Sequence, residues 1–176
     1  PCFDISSTAN CDSVCGAEVE CHVFEELLAS HNRPLSDHFQ KTGMPLHIFA
    51  ARWFITFFSS EPWPLESTQI IWDHIFCDAS AAIGDADTGT GGDEARAVSS
   101  AVLNAMTRTA TGFFVLHAEI FLSLHGLLDL KEAVETLCDA LSPSATVALL
   151  EAGLTREIGD TVFAAVRART RRSVNM

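Results

Sequence analysis

Apolar residues recur along this chain three and four positions apart, and no segment sustains a period-two alternation. The clearest stripe runs from Met44 to Ser59. Leu46, Phe49, Ala50, Trp53, Phe54, Phe57 and Phe58 share one face, while His47, Arg52 and Ser59 fall off it. Pro62 and Pro64 end that helix, and Pro64 suits the first turn of the next. The next helix places Leu65, Thr68, Ile71, Trp72, Ile75 and Phe76 together. Upstream, Val19, Val23, Phe24, Leu27 and Leu28 predict a helix over 18–30, broken at Arg33-Pro34, with a short helical piece over 36–41. Downstream, the pattern predicts helices over 93–108, 113–124 and 129–141, a short one opened by Ser142-Pro143, and a last one over 155–170. Gly112 is expected to separate the first two, and Gly153 to end the short one. Asp129 with Glu132 suggests a capping box.

The reading is an all-α chain, an irregular array of about eight helices. Residues 1–17 show no period and read as loop or disordered. Residues 18–170 form a single helical domain, and residues 171–176 a basic tail. The stretch Asp85–Glu94, rich in Gly and Asp, reads as a loop.

A chain of 176 residues is long enough for a real core. The wide aromatic stripe places that core's centre on the helix carrying Trp53, with Trp53, Phe54, Phe57, Trp72 and Phe76 all expected inside it. Asp73 is expected in a structural hydrogen bond or ion pair, with Arg52 a plausible partner. The net charge of −12 argues against nucleic acid and against an anionic membrane surface as primary partners. Arg167, Arg169, Arg171 and Arg172 gather near the C-terminus and read as a solvated helix end favoured by the dipole. No apolar run approaches the roughly 20 residues that span a bilayer. No signal peptide is visible, and the six cysteines do not form a disulfide framework. An intracellular setting with free thiols is the simplest expectation.

Candidate chemistry is sparse. Cys11, Cys15, Cys21 and His22 lack standard zinc spacing. Asp85-x-Asp87 begins like a calcium loop, but Thr90 and Arg96 stand where Gly and Glu are needed. His117 and Glu119 lie two apart, on different sides of a helix, and read with His125 as satisfied polar residues. No nucleophile elbow or phosphate loop occurs. The expectation is no catalytic, cofactor-binding or metal-binding residue.

The order of these elements resembles the second half of a TBC domain, the domain of Rab GTPase-activating proteins. The resemblance is carried by Arg52-Trp53-Phe54…Phe57-Phe58, Pro62-Trp63-Pro64-Leu65 and Trp72-Asp73. Phe24-Glu25-Glu26-Leu27-Leu28 with Pro34-Leu35…His38-Phe39 lies before them. Phe113–Leu122 and Asp129–Leu141 follow, so that about 22–142 is covered. Residues 78–110 depart from it and read as an insertion. The resemblance implies a Rab-type small GTPase as partner, contact with membranes only through that Rab, and a place in the cytoplasm or on endomembranes in vesicle trafficking. The N-terminal TBC lobe would be a further partner if the chain is a fragment.

Family members act with two fingers, an Arg in Ile-x-x-Asp-x-x-Arg and a Gln in Tyr-x-Gln. An Arg finger offsets charge on the transferred phosphoryl and is worth about 10³–10⁵ in rate. This chain contains no Tyr, and its glutamines, Gln40 and Gln69, are out of context. Ile70-x-x-Asp73-x-x-Phe76 puts Phe where the Arg would stand. The resemblance therefore implies a scaffold and Rab-contacting half, inactive alone. A diverged non-catalytic adaptor, or an unrelated helical domain, is the alternative.

Overall fold

The computed structural model describes residues 8–60, 62–84, 91–154 and 160–174. Its elements are all helices: α1 (Thr8–His31), α2 (Arg33–Thr42), α3 (His47–Thr56), α4 (Leu65–Gly84), α5 (Gly91–Leu116), α6 (Ala118–Ser123), α7 (Leu127–Asp139), α8 (Pro143–Leu154) and α9 (Asp160–Val174). The all-α reading holds for the described residues, and none of their helices is long and apolar enough to cross a membrane by itself.

Local chemistry explains the boundaries. Asn32 caps α2 by accepting the Leu35 N–H at 3.1 Å on Oδ1. Pro34 therefore opens α2, where a missing N–H costs nothing, instead of merely breaking α1. Gly43 takes a left-handed φ of 70° and ends α2. Ser142 caps α8 by accepting the Ala145 N–H at 3.2 Å, with Pro143 in the first turn.

Trp53 sits at the centre of the core, as its stripe predicts. Its ring lies 5.3 Å from those of Trp63 and Phe113, 5.8 Å from Phe114 and 5.9 Å from Phe58. Phe24, Phe39 and Phe121 extend the cluster through Phe114. Each such ring buried contributes roughly 2–3 kcal/mol before entropy. A second, smaller cluster joins α1 to α9 through Val19, Val23, Leu27, Phe163 and Val166.

Several expectations are corrected. α1 is helical from Thr8, ahead of its apolar stripe; a helix propagates more easily than it starts, and nothing before Gly16 breaks it. Residues 1–7, and most of the Gly- and Asp-rich stretch at 85–90, lie outside the described residues. α5 runs unbroken through Gly112, and the break falls at His117. Gly112 is a contact point instead. A Cβ there would stand well inside contact distance of the Leu149 carbonyl oxygen and 2.9 Å from the Gly153 N. Gly153 is buried in the last turn of α8, with the Arg108 carbonyl equally close to its missing side chain. The two glycines let α5 and α8 cross backbone to backbone. α7 begins two residues before Asp129 and has no side-chain cap. Within the 78–110 region, Asn104, Ala105, Met106 and Thr107 of α5 are buried.

Candidate functional site

The corner between α3 and α4 holds the residues that the sequence singled out, and it divides them. Trp53 and Phe54 are buried, at 2% and 6% exposure. Phe57 and Phe76 are not core residues; they stand 44% and 57% exposed. The backbone causes this. α3 ends at Thr56, and Phe57 and Phe58 both enter the left-handed region, with φ of 51° and 59°. That conformation costs about 1–2 kcal/mol for each residue that is not glycine. Its result is to turn Phe58 inward onto Trp53 and Trp63 and Phe57 outward.

Two side chains of α4 brace the turn. Trp72 donates from Nε1 to the Phe57 carbonyl at 2.6 Å, and Thr68 donates to the Phe58 carbonyl at 3.1 Å. Trp72 is thus half-buried, held by its polar edge. Asp73 is exposed and forms no ion pair with Arg52 among the described residues; both point to solvent. The face of α4 at positions 65, 69, 72 and 76 is solvent-facing, with Leu65 at 71% exposure.

A cleft of about 440 Å³ opens between α1, α2 and the start of α3. Glu25 stands on its wall between two histidines, its oxygens 3.6 Å from His22 Nδ1 and 3.6 Å from His47 Nδ1. Buried Cys21 donates weakly to the His47 carbonyl at 3.8 Å. Burial, with help from Glu25, Glu20 and Glu18, pushes that thiol up to about 12. Among the described residues no group of three or more His, Cys, Asp or Glu could hold a metal ion. The side chains of Cys11 and Cys15, and the calcium-like Asp85-x-Asp87, lie outside them.

His117 departs from its expected role. Its Nε2 is buried without a hydrogen-bond partner, and burial holds its pKa below the ordinary 6.5. Its ring packs edge-on against Phe113 at 5.0 Å.

Within the arginine cluster Arg167 departs from the solvated reading, Arg169 is exposed, and the side chains of Arg171 and Arg172 lie outside the described residues. Arg167 is 8% exposed. It donates from Nε and Nη2 to the two carboxylate oxygens of Glu20, at 2.6 and 2.7 Å, and from Nη1 to Asn104 Oδ1 at 2.5 Å. Arg169 pairs with Glu26. The guanidinium groups of Arg108 and Arg167 both lie over the Phe163 ring, at 5.2 and 5.4 Å. No local pattern announces these pairs, because Glu20 and Arg167 are 147 positions apart.

The family model described as the Rab-GTPase-TBC domain matches residues 11–84. This stretch is similar to a portion of a TBC domain. The match takes in all of α2, α3 and α4, nearly all of α1, and the Trp53 and Trp72-Asp73 motifs. The resemblance drawn over Phe113–Leu122 and Asp129–Leu141 lies beyond the matched span. No curated protein and no solved structure matches the chain. Within the 176 residues, Tyr is absent.

Proposed function

We propose that this chain serves as the C-terminal lobe of a TBC-type Rab GTPase activator, forming a scaffold and part of the Rab-contacting surface. The observation that carries the reading is the TBC match over residues 11–84 in a sequence with neither finger motif. Its chemistry would be completed by an Arg and a Gln supplied from an N-terminal lobe, at the cytoplasmic face of endomembranes where Rabs act.

The test is single-turnover GTP hydrolysis by a panel of Rab proteins, with this chain alone and with a finger-bearing N-terminal TBC lobe added. The expected result is no acceleration alone and acceleration of at least about 10³-fold with the lobe for some Rab. Acceleration by the chain alone, or none with any lobe, would overturn the proposal. The exposed aromatic corner at Phe57 and Phe76 favours a second reading, a non-catalytic TBC-like adaptor. Binding to non-GTPase partners through that corner, without any effect on hydrolysis, distinguishes it.

A further inference from the structure

α4 carries an unpartnered ridge. Leu65, Gln69, Trp72 and Phe76 follow one another at i, i+4, i+7 and i+11, so they stand in one line along the helix. Leu65 and Phe76 are largely exposed, and Phe57 adds a third exposed apolar side chain beside Trp72. At 1.5 Å per residue the ridge is about 16 Å long, three helical turns. Its buried counterparts, Thr68, Ile71, Ile75 and Ala79, occupy the face toward the core, so the ridge is not a misplaced core stripe.

The edge of the ridge is acidic. Glu66 and Asp73, seven residues apart, lie along the same side of it, exposed and without an ion pair among the described residues. Asp78, five residues after Asp73, lies off this edge and is engaged by Arg108 of α5 at 3.6 Å. From Leu65 to Gly84 α4 contains no Lys or Arg. The left-handed pair Phe57-Phe58 flanks the ridge at Trp72, which locks that turn through its indole N–H. Strained backbone held this firmly at an exposed aromatic marks a preformed surface.

We infer that this ridge docks an amphipathic helical segment of another protein, about three turns long, with an apolar stripe bordered by Lys or Arg. The apolar stripe would cover Phe57, Leu65, Trp72 and Phe76, and the basic border would meet Glu66 and Asp73. Charge decides among occupants. A second copy of this chain would bring the same two carboxylates and another −12 to the contact. An anionic bilayer would meet the same repulsion. The inference does not depend on the Rab reading.

The probe is a fluorescein-labelled Leu/Lys amphipathic peptide of about 14 residues, four turns, with a scrambled peptide of equal composition as control, titrated by fluorescence anisotropy. The expected result is saturable binding, at least about tenfold weaker for the scramble, for Phe76→Asp, and for Glu66→Lys combined with Asp73→Lys. All three substituted positions are exposed, and circular dichroism of each variant checks the fold. Equal binding by the scramble, or unchanged binding by either variant, overturns the inference. So does self-association in sedimentation that Phe76→Asp abolishes, which would make a second copy the occupant. Flotation with anionic vesicles lost in Phe76→Asp would assign the ridge to a membrane and equally overturn it.

Discussion

Gly112 of α5 and Gly153 of α8 touch backbone to backbone: a Cβ on Gly112 would lie 2.9 Å from the Gly153 N and 3.2 Å from its Cα. Neither glycine has a left-handed φ, so their value here is space. Main-chain atoms cannot yield as a flexible side chain can. Gly112→Ala or Gly153→Ala is therefore expected to cost at least about 1–3 kcal/mol, although alanine is the better helix former. Urea denaturation of each variant checks this, and a gain in stability would show that α5 and α8 have room to part.

Arg167 and Glu20 form a second relationship whose loss should be costly. Removing the guanidinium in Arg167→Ala leaves Glu20, at 4% exposure, charged and unpaired beside Asn104. The expected cost is about 3–5 kcal/mol. Replacing both partners together, as Glu20→Leu with Arg167→Met, should recover most of it, because the pair's solvation penalty disappears too. A double variant no more stable than the single one would mean that the pair is a true stabiliser.

His117 predicts a pH dependence. Its folded pKa is depressed, so the native protein holds it neutral while the unfolded chain binds a proton more readily. The resulting stability is fully present above the unfolded value near 6.5 and is lost as pH falls through the folded value. Stability should drop as pH falls below about 6.5 in the native sequence, and His117→Phe should flatten that part of the profile. Paired urea titrations across this range provide the check.

The thiols should react unequally. Cys77 is exposed, whereas Cys21 and Cys138 are buried and both held in the protonated form, Cys138 by burial and then by Glu135. The thiolate is the reactive species. Maleimide labelling at about pH 8 followed by peptide mapping should modify Cys77 in the native protein, and Cys21 and Cys138 only after unfolding. Labelling of Cys138 at the native rate of Cys77 would mean that α7 opens readily.

Much of this fold was legible because its physics is local. The stripe through Leu46, Phe49, Trp53 and Phe54 is one helix face, and it found the core's centre. The period then misled at Phe57, because two left-handed residues ended the helix and turned the face around; aromatic spacing carries no sign of that. Phe76 was misassigned similarly, since a stripe three and four apart cannot say which edge of it meets water. Gly112 was read by its helix propensity, whereas its role depends on a helix forty residues further along. The buried arginine is the same kind of case. A cation near a helix end reads as solvated until the partner across the molecule is known.

The packing of α9 on α1 has a consequence for synthesis. Glu20 and Arg167 are separated by 147 positions. At about 5–20 residues per second, the ribosome delivers Arg167 roughly 7–30 seconds after Glu20. Over that interval Val19, Val23 and Leu27 have no Phe163 to cover them, and Glu20 has no counter-ion. The first helix is made early and finished late, so a nascent chain stalled before Phe163 should present an apolar, acidic surface to the chaperones that meet it.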